Sequence, residues 1–189
     1  LAVADTIRPA AAAAIAELHD IGVTRVVMLT GDNERTAAAV AAQVGIDEFH
    51  ANLKPQDKVD AIKTLTGTGG RVAMVGDGVN DAPALAAAAA GIAMGAAGSD
   101  AALETADVAL MSDDIAKLPE AIALGRRTRT VVRQNLVLSL VILAVLVPGA
   151  LFGLLSLPAA VIAHEASELI VITNGARLAR NKTGRRTAQ

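Results

Sequence analysis

Along the first half of the chain, short β-branched apolar runs alternate with alanine-rich stretches of helical period. Val23–Leu29 is followed by Glu34–Val44, Glu48–Leu53 by Gln56–Leu65, and Val72–Val75 by Ala82–Ala90, with further runs at Ile92–Met94 and Val108–Leu110. This alternation predicts βαβ units, and so an α/β fold with a Rossmann-like parallel sheet flanked by helices. Ser99–Glu104 reads as a helix between the last two strands and Asp114–Val132 as a long helix after them. The pattern then changes. No charged side chain occurs from Gln134 to Ala163, and Leu136–Ala163 is apolar for 28 residues, beyond the roughly 20 a membrane-crossing helix needs. Apolar sequence resumes after His164, Glu165 and Glu168 and continues to Ala176.

Flanking charge decides between one crossing and two. Arg126, Arg127, Arg129 and Arg133 precede the apolar region, and Arg177, Arg180, Lys182, Arg185 and Arg186 follow it. One crossing would put a basic cluster on the wrong side, whereas two keep both cytoplasmic. Gly153, Ser156 and Pro158 place the turn near Leu154–Pro158, and Pro148-Gly149 predicts a kink in the first crossing. A single long buried helix is the alternative, but helices apolar on every face are rare outside membranes. In the second crossing, His164 and Glu168 lie one turn apart on a shared face, with Glu165 about 100° around, so imidazole and carboxylate can converge on a cation. A later turn would put the same residues among headgroups. The His-Glu-x-x string lacks the second histidine of a zinc protease, since Glu168 stands there.

Composition narrows the classes. With 189 residues, 53% hydrophobic and 1% aromatic, the chain can fill one domain core and leave apolar sequence over, which excludes wholesale disorder. Its net charge of −2 hides an asymmetry: residues 1–115 hold 7 Lys/Arg against 16 Asp/Glu, and residues 116–189 hold 10 against 3. The acidic half argues against a nucleic-acid surface. Without cysteine there is no disulfide framework, no Cys-ligated zinc and no thiol nucleophile in this stretch. The chain opens at Leu1 with no basic-then-apolar leader and reads as a piece of something longer.

In parallel sheets ligands collect beyond the carboxyl ends of strands. After Val23–Leu29 comes Thr30-Gly31-Asp32-Asn33, a hydroxyl and a turn at a helix N-terminus, which suits a phosphate or simply caps the helix. After Val72–Val75 comes Gly76-Asp77-Gly78-Val79-Asn80-Asp81, where two carboxylates four residues apart leave the same edge. Crowded carboxylates with a phosphate substrate select Mg²⁺. Lys58, early in the helix after Lys54-Pro55, can approach that edge and neutralise phosphoryl oxygens. Gly67 to Gly70 lack a P-loop ending and read as a helix stop, Gly95 and Gly98 as a turn, and His19 and His50 as surface residues.

The ordered set Thr30-Gly31-Asp32, Lys58 and Gly76-Asp77-Gly78-Val79-Asn80-Asp81-Ala82-Pro83-Ala84-Leu85 resembles the P-type cation-transporting ATPases, and the hairpin resembles the last two membrane helices of their heavy-metal branch. The resemblance implies a partial phosphorylation domain of haloacid-dehalogenase type over 1–113, a connecting helix over 114–133, two transmembrane helices over 134–178 and a basic cytoplasmic tail over 179–189. It implies that Asp77 and Asp81 hold Mg²⁺, that Thr30, Gly31, Asp32 and Asn80 attend the phosphoryl group of ATP, and that Lys58 stabilises its charge. His164-Glu165-Ala166-Ser167-Glu168 looks like the His-Glu-Gly-Ser-Thr motif associated with cobalt, zinc and related metals, with Ala166 and Glu168 as departures. His164, Glu165, Ser167 and Glu168 are then candidate ligands of a transported divalent ion of cobalt, zinc or nickel type. No Asp-Lys-Thr-Gly-Thr segment occurs, so the phosphorylated aspartate is expected upstream, and this fragment alone is expected to be inactive. The implied protein is a multi-pass pump of a bacterial plasma membrane, whose partners are the lipid bilayer, the transported ion and its own remaining domains, without nucleic acid. A membrane-anchored Mg²⁺-dependent phosphatase and a non-catalytic metal-binding module stay open beside it.

Overall fold

A computed structural model describes residues 7–67, 69–76, 80–95, 104–112 and 114–180. The chain divides into two compact units, Leu1–Ala121 and Ile122–Gln189.

The first unit opens with α1 (Ala11–Asp20), whose buried residues Ala11, Ala14, Ile15 and Leu18 form the one-sided stripe of an amphipathic helix. Gly22 then takes φ 84°, and the Val23 N–H donates to Leu18 O at 2.9 Å. The Val26 N–H donates to Asp47 Oδ2 at 2.6 Å. These bonds occupy the start of the run expected as a strand, so β1 is only Val27–Leu29. It pairs in parallel with β2 (Glu48–His50), Val27 opposite Glu48. Between them α2 (Glu34–Val44) has the predicted bounds, because Asn33 accepts from the Thr36 N–H at its start and Gly45, at φ 79°, ends it in the left-handed region. β2 stops short of Leu53 because Asn52 adopts φ 56°.

Proline opens α3 (Pro55–Gly67), where its missing N–H removes nothing from the helix. Asp57 reaches back to accept from the Lys54 N–H at 2.9 Å, the returning half of a capping box. β3 (Ala73–Gly76), α4 (Ala82–Ala87), β4 (Ala90–Met94) and β5 (Val108–Leu110) follow. α4 is shorter than expected because Ala88 turns extended and the N–H groups of Ala89 and Ala90 both donate to Val72 O. Expectation and structure differ on the sheet. Instead of one parallel sheet the described residues form two, β1-β2 and β3-β4-β5, each parallel throughout. The reason is that β1 and β3 are not hydrogen-bonded neighbours, so each keeps an unpaired edge among the described residues. Of the helix expected over Ser99–Glu104, residues 99–103 lie outside the described residues.

Small side chains let these elements approach closely. The main core joins Val59 and Ile62 of α3, Met74 of β3, Ala84 and Leu85 of α4 and Ala93 of β4, with Leu29 of β1 packed against it. Leu85 is 1% exposed, a burial that contributes about 1.5–3 kcal/mol. A second cluster ties Ala11 and Ile15 of α1 to Val44 of α2.

α5 runs unbroken from Lys117 to Leu151, about 52 Å of helix at the standard rise. The connecting helix expected over 114–133 and the first apolar crossing are therefore one element, which starts three residues late. Asp114 precedes it, accepting from the Ala116 N–H at 3.0 Å through its carboxylate and from the Lys117 N–H at 3.1 Å through its carbonyl. Pro148 lies inside the last turn, so its missing donor falls at the helix end rather than mid-crossing. A turn through residues 152–156, with Gly153 at φ 70°, leads into α6 (Leu157–Arg180). Side-chain bonds from Asn174 to Gln134 and Asn135 show that α6 folds back beside α5. Among the described residues α5 is the one helix long and apolar enough to cross a membrane. In α6 the polar residues His164, Glu165, Glu168 and Asn174 interrupt the apolar run. Leu136, Leu140 and Val145 on α5 and Ile162, Leu169 and Ile172 on α6 are each more than half exposed, a surface that calls for apolar surroundings.

Candidate functional site

The carboxyl ends of β1 and β3 carry the residues the sequence singles out. Thr30 directly follows β1, and its N–H donates to His50 O at 3.0 Å while its carbonyl accepts from the Leu53 N–H at 3.0 Å. The Asp32 N–H donates to Thr30 Oγ1 at 3.1 Å, and Thr30 Oγ1 donates to Asp32 Oδ2 at 3.1 Å. The Asn52 N–H closes the loop by donating to Asp32 O at 2.7 Å. Thr30-Gly31-Asp32 is thus a turn held from both sides, with Gly31 exposed at its apex. The helix-capping role falls to Asn33 rather than Thr30, which leaves the threonine hydroxyl available to exchange its bond to Asp32 for one to an anionic oxygen.

At the end of β3 the structure brings together two residues 23 apart in sequence. Lys58 Nζ lies 2.7 Å from Asp81 Oδ1, with side chains only 16% and 13% exposed. The shared core explains the meeting: Val59 and Ile62 of α3 pack with Ala84 and Leu85 of α4, which sets the first turn of α3 against the residue preceding α4. Gly76 completes the arrangement. A Cβ at that position would sit 2.8 Å from Asp81 Oδ2 and 2.9 Å from Asp81 Cβ, so only glycine lets the strand end come this close to the carboxylate. Leu29 packs on the same core as Met74, which ties the end of β1 to the end of β3. Asn80 is exposed beside Asp81. Asp77, Gly78 and Val79 lie outside the described residues.

The donor set fits Mg²⁺. It is made of oxygen ligands alone, and its described member, Asp81, is sheltered, with its Oδ1 facing Lys58 Nζ. Asp77 and Asp81 would hold the ion, which supplies charge neutralisation for phosphoryl oxygens. Lys58 supplies a second positive charge at the same edge from this chain itself.

On α6, His164 Nε2 lies 3.6 Å from Glu168 Oε1, the two side chains 57% and 58% exposed. Glu165 is exposed a third of a turn away, and Ser167 Oγ donates to His164 O at 2.6 Å, the local bond of a helical serine. The structure therefore brings His164 and Glu168 together. Among the described residues no group of three His, Asp or Glu side chains converges as a metal ligand set.

Sequence reasoning did not pick out Asp107. Its Oδ2 accepts from the Gly91 N–H at 2.8 Å, tying the start of β5 to β4 and so steadying the sheet that carries β3. Its only sequence signal is an acidic residue immediately before an apolar run. Gln134, Asn135 and Asn174 were also passed over, because amides at the edge of an apolar run have no distinctive spacing.

The fold defines an α/β class with parallel sheets, and a family model described as haloacid dehalogenase-like hydrolase matches residues 1–89. The chain is 56% identical over 182 residues, 96% of its length, to a probable cation-transporting ATPase G of Mycobacterium tuberculosis, covering 23% of that protein. It is 50% identical over 96% of its length to a probable cadmium-transporting ATPase of Listeria monocytogenes, covering 26% of it. A crystal structure of a zinc-transporting PIB-type ATPase in the E2·Pi state superposes with TM-score 0.83 at 46% identity, over 92% of this chain and 28% of that one. The chain belongs to the P-type cation-transporting ATPases, in their heavy-metal branch. It spans about a quarter of the length of the curated relatives it matches.

Proposed function

We propose that this chain is the part of an ATP-driven heavy-metal pump that handles the phosphoryl group at one end and contributes cargo ligands at the other. The observation that carries the reading is the sheltered Lys58–Asp81 pair, 2.7 Å across at the carboxyl end of β3, on the same chain as a helix long and apolar enough to cross a membrane, with no charged residue from Gln134 to its end at Leu151. Thr30 and Gly31 hold the phosphoryl oxygens of ATP-derived phosphate, with Asp32 beside them, and Asn80 attends the same group. Lys58 offsets the charge that develops during transfer. Asp77 and Asp81 hold Mg²⁺, and the aspartate that accepts the phosphoryl group belongs to a segment outside this chain.

α5 and α6 form a transmembrane hairpin with both ends cytoplasmic, in a multi-pass protein of a bacterial plasma membrane. The cost of placing His164, Glu165 and Glu168 in an apolar helix, about 2.5–3.5 kcal/mol for a charged group near the bilayer centre on insertion scales, is offset when they ligate a cation. With Ser167 they bind the cargo as it leaves the cytoplasm. Names of relatives support a divalent transition or post-transition ion: cadmium in one case and zinc in another. Continuity of α5 from Lys117 to Leu151 gives a path by which phosphorylation moves the cargo ligands.

Asp77→Ala in the full-length pump tests the phosphate half. Mg²⁺-dependent phosphoenzyme should fall below detection while the protein still reaches the membrane; normal ATP turnover in that variant would overturn the assignment.

A further inference from the structure

The open end of the hairpin carries polar side chains that none of this chemistry uses. Asn174 Nδ2 donates to Asn135 Oδ1 at 2.8 Å and to Gln134 Oε1 at 3.3 Å. Asn135 Nδ2 donates to the backbone carbonyl of Val171 at 3.3 Å. Arg177 Nη1 donates to Asn174 Oδ1 at 3.0 Å, which leaves the NH₂ end of that amide to face α5. Each asparagine thus uses both ends of its amide, and both are half-buried between the helices.

These bonds matter because the rest of the hairpin has little to fix its register. Leu136, Leu140, Leu169 and Ile172 are each more than half exposed, and in apolar surroundings a leucine gains little by choosing one apolar neighbour over another. Directional bonds do not slide in that way. Moving α6 past α5 by one turn, about 5.4 Å, would break all three bonds that cross between the helices. A further close approach is at the turn, where a Cβ on Gly149 would sit 2.8 Å from Leu155 Cδ1. The two helices are therefore pinned at the turn and again at the amides.

Asn174 stands six residues, about 9 Å, from Glu168 along α6, and Asn135 stands on the helix that begins at Lys117. We infer that Asn135 and Asn174 are positioning residues, forming an interhelical amide joint that passes displacement of α5 on to the helix bearing His164 and Glu168. The inference rests on the reading of α6 as the cargo-ligating helix.

The test uses the full-length pump in lipid with Asn135→Leu, Asn174→Leu and the double variant. Leucine has a similar volume, and the double variant replaces both partners, so it leaves neither amide of the pair unsatisfied. Three quantities are read: equilibrium Zn²⁺ binding, Mg²⁺-dependent phosphoenzyme, and the ratio of Zn²⁺-stimulated to basal ATP hydrolysis. Zn²⁺ binding and phosphoenzyme should persist, while the ratio falls by about fivefold or more, the lower end of typical coupling between sites. The double variant should lose no more than either single, since one joint is broken in each. An unchanged ratio in the double variant would overturn the inference. So would parallel loss of membrane protein, Zn²⁺ binding and phosphoenzyme in all three variants, which marks a folding role. A wild-type pump that forms phosphoenzyme but shows no metal stimulation would instead remove the cargo reading, and this inference with it.

Discussion

Gly76→Ala probes how closely the end of β3 is fitted to Asp81. The new methyl would lie 2.8 Å from Asp81 Oδ2, 2.9 Å from Asp81 Cβ and 3.2 Å from Asp81 Cγ. Carbon atoms in packed interiors sit at about 3.5–4.0 Å, so the overlap exceeds half an ångström against an atom attached directly to the backbone. Rotating the carboxylate relieves the oxygen contact but not the Cβ contact, and it withdraws Oδ1 from Lys58 Nζ, now at 2.7 Å. Overpacking of this kind costs about 1–3 kcal/mol. Displacement of a positioned group by about 1 Å costs about 100-fold in rate. Urea unfolding of the chain in detergent, followed by circular dichroism, should show the midpoint fall at unchanged slope, and phosphoenzyme formation in the full-length pump should fall by about two orders of magnitude. The decisive control is Asp81→Gly, which removes all three contacting atoms. In that background Gly76→Ala should cost less than about 0.5 kcal/mol more, because the two positions are coupled through contact. An equal cost in both backgrounds would refute the reasoning.

Two further substitutions test the scaffold around the site. Asp107→Ala strips the acceptor from the Gly91 N–H, now 2.8 Å away, and should cost about 1–3 kcal/mol, read as faster amide exchange in β4 and β5 with β1 and β2 unaffected. Asn33→Ala removes the cap that accepts from the Thr36 N–H at 3.0 Å and should cost about 0.5–2 kcal/mol, seen as earlier exchange of the first turn of α2 while the ends of α3 and β3 hold.

Local chemistry explains which parts of the fold were legible in the residues alone. α2 had the predicted bounds because its signals are self-contained: a capping asparagine at one end and a left-handed glycine at the other. β5 was likewise placed at Val108–Leu110. Strand starts differ from the expectation where partners outside the apolar run intervene. Val23 is apolar and β-branched, yet its N–H belongs to the end of α1, and that of Val26 belongs to Asp47. Division into two sheets was invisible for the same reason, since strand adjacency is not written in any one run. For the site, Thr30, Lys58 and Asp81 could be named from residue type and strand ends, but the 2.7 Å contact between Lys58 and Asp81 needed α3 packed on α4. The asparagines of the hairpin carried no pattern at all, because 39 residues separate Asn135 from Asn174.

Coupling between the phosphate edge and the hairpin is what makes the two units one machine in the proposed pump. Its most direct measurement is ATP hydrolysis by the full-length pump in lipid, titrated with Zn²⁺, Cd²⁺ and Co²⁺, in wild type and in a His164→Ala/Glu168→Ala variant. Hydrolysis should rise with at least one of these ions in wild type and lose that rise in the variant, with phosphoenzyme from inorganic phosphate retained. Hydrolysis that proceeds at one rate with and without every ion, in both proteins, would contradict it.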